Sequence, residues 1–294
     1  FKKMTDVVES KRVKKFRAEI VKAIPRVPNN RKSLHALQGK SLTDLLVIYT
    51  NWRIRFVGQR QREVVIEDSA KKDKRWNLLN EQIASFLNKV KNGDDLTPFL
   101  SLKARKRGFS LFADNPDSNT DSWDDKDFLL NVMGYHHFHL GEMREGMPHA
   151  DRTYDELFAA VSKDIFTVLA ILNHSVFKQR EDHSESLTID REFLWSIFDE
   201  RSTRGAIPGS IVIPSMVATS GYSLNTVMAA QEYARVIREI DSKLDDLEFV
   251  RSLYKGSGLE VNSTKKLNWH FRHLDLGVFD ESTGFFGVFR YGPN

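Results

Sequence analysis

Apolar residues recur at helical spacing in the first and the last thirds of the chain. The segment from Asp6 to Ala23 carries apolar residues on one face and Lys/Arg on much of the other, and this pattern predicts a helix that Pro25 ends. Residues 74–91 repeat the pattern and stop at Asn92-Gly93, a C-terminal helix signal. Further helical patterns occupy residues 191–201 and a long stretch that begins at Ser223.

Strand-like patterns fill the middle and the end of the chain. If the stretch 135–141 is a strand, its side chains alternate between the two faces. Residues 156–162 and 165–173 are mostly apolar and of strand length, and Lys163-Asp164 lies between them. We therefore predict an antiparallel meander of three strands over residues 134–174 and a C-terminal hairpin over 269–291. Because helices come before and after these strands, the predicted class is α+β with an antiparallel sheet.

The charge distribution suggests how the chain divides into domains. Residues 1–33 carry eleven Lys/Arg against three acids, although the formal net charge of the whole 294-residue chain is only +4. We expect a basic helical N-terminal region over residues 1–70. An α+β domain over 71–294 would contain the His-rich strand and the helical segment 191–254.

Composition limits the compartment and the chemistry. The chain has no cysteine, which rules out disulfides, thiolate zinc sites and a cysteine nucleophile within this sequence. No apolar run approaches the roughly 20 residues that span a bilayer, and the basic first residues lack the apolar core of a signal peptide. The expected location is therefore the cytoplasm, without a membrane partner.

Two basic segments are candidates for binding nucleic acid. The first is the basic face of the N-terminal helix, with Lys14 and Lys15. The second is the compact cluster of Lys103, Arg105, Lys106 and Arg107. An excess of Lys/Arg suits a phosphate backbone, while a solvated helix face or loop explains the same residues without a ligand.

The densest candidate chemistry is the stretch Tyr135-His136-His137-Phe138-His139-Leu140-Gly141, echoed by Arg272-His273-Leu274-Asp275-Leu276-Gly277. If both stretches are strands, His137 and His139 share one face, and so do His273 and Asp275. Three imidazoles and a carboxylate would then converge if the two strands were neighbours.

Imidazoles titrate near neutral pH, so one could act as a base and another as an acid. Cleavage of RNA by this route needs a base for the 2′-OH, an acid for the leaving oxygen and a cation for the phosphate. We assign His137 and His139 as the acid–base pair, with His273 or Asp275 orienting one ring. Arg144 or Arg152 would bind the phosphate.

Two alternatives use the same histidines differently. A His-x-His pair on a strand can chelate a first-row metal, with His273, Asp275 or His174 completing the set of ligands. The histidines could instead be structural residues bonded to backbone groups. The chain has no phosphate-binding loop, no Gly-x-Ser-x-Gly elbow and no Gly-x-Gly-x-x-Gly turn. We expect neither a cofactor nor a metal.

Two resemblances add to this interpretation. Lys126 to Gly141, with Leu96 to Ser101 and the closing Gly292-Pro293-Asn294, resembles a family of bacterial proteins whose function is uncharacterised. The order of the helix 74–91, the His-rich strand and the hairpin 156–174 resembles the architecture of RelE-like endoribonuclease toxins. The second resemblance implies cleavage of RNA without a metal by basic and His or Tyr residues on the sheet.

The function predicted from the sequence is a metal-independent endoribonuclease of a bacterial toxin or phage-defence system. Its partners would be RNA and an antitoxin or the ribosome. A non-catalytic nucleic-acid- or protein-binding module with structural histidines is the main alternative, and a metallohydrolase is the third.

Overall fold

The computed structural model describes residues 9–101, 104, 106–111, 129–177, 187–213, 216–218, 221–259 and 267–293. The chain divides into two compact units. Unit 1 takes its described residues from Phe1–Arg53, Arg107–Ala113 and Thr226–Pro293, and unit 2 takes its own from Ile54–Lys106 and Asp114–Asn225. The sequence suggests a boundary near residue 70 instead, because it does not reveal that the N-terminal helices share a unit with the C-terminal strands.

The helices of the described chain are α1 Lys11–Ala23, α2 Arg31–Gln38, α3 Leu42–Arg53, α4 Asp68–Lys71, α5 Lys74–Leu78, α6 Asn80–Asn92, α7 Ile189–Thr203, α8 Leu224–Ile240 and α9 Leu247–Tyr254. The strands are β1 Arg26–Val27, β2 Glu63–Ile66, β3 Phe109–Ser110, β4 Tyr135–His139, β5 Asp155–Val161, β6 Ile165–Asn173, β7 Leu267–Arg272, β8 Asp275–Asp280 and β9 Phe286–Arg290. Short 3₁₀ helices cover Thr97–Phe99, His174–Phe177 and Asp241–Asp245. Among the helices described here, none combines the length and the apolar character needed to cross a bilayer.

Unit 2 is built on a four-stranded sheet in the order β2-β6-β5-β4. The predicted meander is confirmed, since β4 pairs antiparallel with β5 and β5 antiparallel with β6. The short strand β2 adds to the far edge parallel to β6, so that the sheet is mixed. The α+β class predicted from the sequence is confirmed.

The position of β6 inside this sheet explains its sequence. From Phe166 to Leu172 its apolar side chains are fully buried, because helices cover both faces of the sheet. On one face, Phe86 of α6 packs on Phe138 and Phe166. The other face is covered by Phe177 of the 3₁₀ helix and by Leu194 of α7.

Unit 1 contains α1 to α3, most of α8, α9 and two small sheets. Its core is centred on Phe271 of β7, which contacts the rings of Phe16, Tyr49 and Tyr233. The Tyr233 hydroxyl donates to the Leu274 carbonyl at 2.7 Å and ties α8 to the turn after β7.

The C-terminal sheet has one more turn than the sequence predicts. The predicted hairpin over 269–291 has residues 269–279 as its first arm, but this arm is itself a hairpin, in which Arg272 pairs with Asp275 across the two-residue turn His273-Leu274. His273 takes a left-handed conformation with φ 56°. Histidine reaches that region more often than most residues do. The turn contains neither Gly nor Asn, and apolar and polar residues alternate across it without interruption. The sequence therefore gives no sign that the chain reverses here.

Gly141, which follows β4, is required by a close approach of the backbone. A Cβ at this position would meet the Asp151 backbone, with the carbonyl carbon only 2.7 Å away. Gly134, which precedes β4, has φ 72°, and a Cβ at this position would have no atom within 4 Å. The two glycines therefore serve different purposes, one steric and one conformational.

We expect Gly141→Ala to lower the free energy of unfolding by about 2–3 kcal/mol, as overpacking against fixed backbone does. Gly134→Ala should lower it by about 1 kcal/mol, from the left-handed conformation alone. Urea unfolding followed by circular dichroism compares the two. A loss for Gly141→Ala no larger than for Gly134→Ala would mean that the backbone at Asp151 moves aside without strain.

Candidate active site

The registers of β4, β5 and β6 bring four chemistry-bearing residues to one face of the sheet. His139 lies opposite Glu156 and His137 opposite Phe158, while Glu156 lies opposite Leu172. Side chains alternate along a strand, so His137, His139 and Glu156 share a face. His174 follows β6 two residues after Leu172 and begins the 3₁₀ helix. We call His137, His139, Glu156 and His174 the His–Glu cluster.

Glu156 is the centre of this cluster and is fully buried. Its Oε1 lies 2.8 Å from His174 Nε2 and 3.3 Å from His139 Nε2. Its Oε2 lies 3.9 Å from His137 Nε2. A carboxylate without water is stable only beside groups that offer protons or positive charge, and the rings of His174 and His139 are close enough to do so, with His137 farther away.

The tautomer of His139 follows from its other ring nitrogen. The backbone N–H of Thr153 donates to His139 Nδ1 at 3.3 Å. Since an amide N–H only donates, Nδ1 is an acceptor, and the proton of the neutral ring is on Nε2, facing Glu156. Thr153 is itself held, because its Oγ1 accepts from the Leu140 N–H at 3.1 Å and donates to the Asp155 carbonyl at 2.7 Å.

Exposure to solvent separates the members of the cluster. The side chain of His174 is 39% exposed, whereas those of His137, His139 and Glu156 are 14%, 4% and 0% exposed. A substrate approaching from solvent therefore meets the His174 ring first. His139 lies against it, with the two ring centroids 6.0 Å apart.

His137 is positioned by aromatic packing. Its ring centroid lies 5.8 Å from that of Phe158 and 5.1 Å from that of Phe177. Contacts of this kind fix the ring plane and limit the access of water. His137 is thus the second most exposed imidazole of the cluster and is held at its edge.

His136 points to the opposite face of β4 and has a structural role. Its Nε2–H donates to the Ile54 carbonyl at 2.8 Å. Burial lowers the pKa of His136 to about 4, which outweighs the effect of the hydrogen bond to Ile54. The ring is therefore neutral at pH 7 and belongs to the core of unit 2.

His273 and Asp275, predicted to converge with His137 and His139, belong to the three-stranded sheet of unit 1, whereas β4 belongs to the four-stranded sheet of unit 2. His273 Nδ1 lies 3.3 Å from Arg53 Nη2. Asp275 Oδ1 accepts from the Gly292 N–H at 2.9 Å. Because His273 is in a turn and Asp275 in β8, the two residues do not share a strand face as the sequence suggests.

The predicted phosphate ligands Arg144 and Arg152 lie in the segment between β4 and β5. Arg144 is exposed and pairs with Asp151 at 2.7 Å. Arg152 Nη1 donates to the Leu100 carbonyl at 3.3 Å. Their predicted role in binding phosphate stays a prediction.

The residues predicted to bind nucleic acid are distributed over both units. Lys14 and Lys15 are exposed on α1, and Lys106 and Arg107 are exposed near the start of β3. Lys103 and Arg105 lie outside the described residues.

Sequence reasoning did not single out Glu156 as a functional residue. It follows the half-buried Asp155 at the start of β5 and directly precedes the apolar run 157–161, a buried position where a charged side chain is rarely found unless it is paired. The signal that could have revealed it is a carboxylate next to a continuous apolar run, in the strand that follows the His-x-His strand. His174 is suggested by its place at the end of β6, but the sequence does not connect it with Glu156.

Comparisons with other proteins do not assign this cluster. No protein-family model matches the chain, and neither the curated proteins nor the solved structures yield a match.

The lowered pKa of His136 predicts a specific dependence of stability on pH. The unfolded chain binds a proton at this residue below about pH 6.5, while the folded chain does not until about pH 4. The contribution of the neutral His136 ring to the free energy of unfolding is therefore complete above about pH 6.5 and is lost as the pH falls toward 4. Linkage gives a loss of about 2 kcal/mol between pH 7 and pH 5 from this residue alone.

The measurement is urea unfolding of the wild type and of His136→Gln at pH 7 and pH 5. The Gln variant keeps an N–H donor near Ile54 but does not titrate. Its loss of stability between the two pH values should be about 2 kcal/mol smaller than that of the wild type. Equal losses would mean that His136 takes up its proton as readily in the folded protein as in the unfolded chain.

Proposed function

We propose that the protein is a metal-independent nuclease that cleaves RNA by acid–base catalysis at the His–Glu cluster. The observation that carries the proposal is the pairing of the exposed His174 with the buried Glu156, at 2.8 Å. A buried carboxylate beside an imidazole holds the ring in one orientation, as an acid–base residue requires.

His174 is the proposed general base. Its Nε2 faces Glu156, so Nδ1 is the nitrogen left for substrate. In the proposed step, Nδ1 takes the proton of the 2′-OH, and the 2′-oxygen attacks the adjacent phosphorus. The bond from phosphorus to the 5′-oxygen breaks, and the products are a 2′,3′-cyclic phosphate and a 5′-OH.

The leaving 5′-oxygen needs a proton, and His137 is the proposed donor because it is the next most exposed ring of the cluster. His139 is a positioning residue: it is nearly buried and its Nδ1 already accepts the Thr153 N–H. This assignment changes the sequence-based one, in which His137 and His139 form the acid–base pair. Arg144 or Arg152 remains the proposed ligand of the phosphate.

A metallohydrolase is the second candidate, and one observation favours it. His139, Glu156 and His174 each offer one ligand atom, and these three atoms lie within 4.8 Å of one another, a spacing that can hold a metal ion. A metal on His139 Nε2, however, requires the ring proton on Nδ1, where it would face the Thr153 N–H. Two donors pointing at each other oppose that arrangement and support chemistry without a metal.

The cellular setting is proposed on the resemblance to RelE-like toxins alone. It is a bacterial cytoplasmic toxin or phage-defence system, with an antitoxin or the ribosome as partner.

The activity test uses His174→Gln in the full chain with labelled single-stranded RNA, with and without EDTA. We expect cleavage by the wild type to resist EDTA and cleavage by the variant to fall by about 10²–10⁴-fold, the usual contribution of an acid–base residue. The thermal midpoint should change little, because the Gln side chain still offers an N–H donor to Glu156 and the side chain at this position is 39% exposed. His35→Gln, at an exposed position in α2, is the matched control and should cleave normally.

Full activity of His174→Gln would contradict the proposal. Cleavage abolished by EDTA and restored by a divalent metal would favour the metallohydrolase. Absence of cleavage by the wild type, on naked RNA and on ribosome-bound RNA, would favour the binding module with structural histidines.

The tautomer of His139 gives a test that does not depend on activity. Long-range ¹H–¹⁵N correlation spectra should show the proton of His139 on Nε2 and an unprotonated Nδ1, and should remain unchanged when zinc is added. A shift of both the His139 and His174 signals at one equivalent of zinc would mean that the cluster is a metal site.

A further inference from the structure

Unit 1 contains a basic groove between α1 and α2. Its cationic lining consists of Lys14, Arg17, Lys22 and Arg26, and its apolar lining of Ala18, Val21 and Leu34. Glu9 is the acidic residue of the lining. We call this surface the α1–α2 groove.

Only part of the positive charge in the groove is compensated. Arg17 pairs with Glu9 at 2.8 Å. Within the described part of the chain, Lys14, Lys22 and Arg26 make no ion pair. The guanidinium of Arg26 donates to the Val21 carbonyl at 3.2 Å and to Asn29 Oδ1 at 3.1 Å, which hold it in place without neutralising it.

The neighbouring Lys15, which the sequence groups with Lys14, behaves differently. Its Nζ lies 3.9 Å from Glu19 and 3.7 Å from Glu281. Lys15 therefore faces carboxylates, whereas Lys14 lines the groove. Of these two adjacent lysines, Lys14 is therefore available to an anion in the groove, whereas Lys15 is already paired with carboxylates.

The spacing of the free charges fits an extended ligand. Lys14 and Lys22 are eight residues apart on α1, and eight residues correspond to about 12 Å along a helix. A compact anion would contact one of the two lysines, but a chain of phosphates can contact both. The lining contains no aromatic ring, so bases have nothing to stack on and affinity would come from the backbone charge.

We propose that the α1–α2 groove binds the phosphate backbone of a single-stranded polynucleotide through Lys14, Lys22 and Arg26, independently of base sequence. The inference deepens the proposed function and rests on it only for the choice of RNA as the natural ligand. Binding and cleavage are measured separately, so the failure of one is distinguishable from the failure of the other.

The experiment measures binding of a fluorescein-labelled 20-nucleotide RNA to the full chain carrying His174→Gln, between 50 and 200 mM salt. Three phosphate contacts predict a slope of log K against log salt of about −2, at about −0.7 per contact for single strands. In Lys14→Ala/Lys22→Ala one contact remains, and the slope should fall in magnitude to about −0.7. The loss of affinity over this salt range should accordingly shrink from about 20-fold to about 3-fold.

The matched control is Lys11→Ala/Lys15→Ala, which removes the same charge from the same helix outside the groove. Its slope should stay near −2. Circular dichroism of both double variants establishes that α1 remains folded. A DNA 20-mer of the same sequence should bind with a similar slope, because the groove contacts phosphate.

Several results would overturn the proposal. One is an equal change in slope for the two double variants, which would indicate diffuse charge rather than a groove. Another is the absence of binding to either oligonucleotide. A third is binding to vesicles containing phosphatidylserine with none to oligonucleotides, which would make the surface a membrane contact.

Discussion

The fully buried carboxylate of Glu156 is the constraint on which the rest of unit 2 depends. Removing a carboxylate from water costs several kcal/mol even after the protein relaxes, and the cost is offset only when donors surround it. Here the neighbours are imidazoles contributed by β4 and by the end of β6. The sheet must therefore hold three separate parts of the chain in one register. A slip of one residue between β4 and β5 would turn His137 and His139 to the opposite face and leave His174 as the one imidazole of the cluster beside the carboxylate.

This constraint explains features of the sequence that have no chemistry of their own. Gly141 lets the backbone at Asp151 come close to the end of β4, and two residues later the Thr153 N–H reaches His139 Nδ1. That hydrogen bond sets the tautomer that directs Nε2–H at Glu156. Phe158 and Phe177 hold the ring of His137 at the edge of the same carboxylate. The apolar packing and the polar contacts thus position the same few atoms.

The sequence predicts the parts of this arrangement that depend on local periodicity. The α+β class, the meander and the common face of His137 and His139 all follow from period-two and helical spacing, and the class and the meander are confirmed. The role of Glu156 could not be predicted, because it depends on strand pairing between distant residues and on burial. The turn at His273-Leu274 also could not be predicted, because the residue in the left-handed conformation is His273, whereas turns of this kind are usually recognised in a sequence by a glycine.

The chemistry of the two candidate sites limits what kind of specificity the protein can have. Acid–base attack through a 2′-OH requires only a ribose and a phosphate, and the α1–α2 groove offers charge without a surface for stacking or for reading base edges. Under the proposed function, none of the residues assigned to these two sites within the described part of the chain reads a base edge. If the protein cleaves a defined sequence, the discrimination must come from other residues or from a partner that presents the RNA. Selectivity that survives in purified protein would therefore require contacts to base edges outside the His–Glu cluster and the groove.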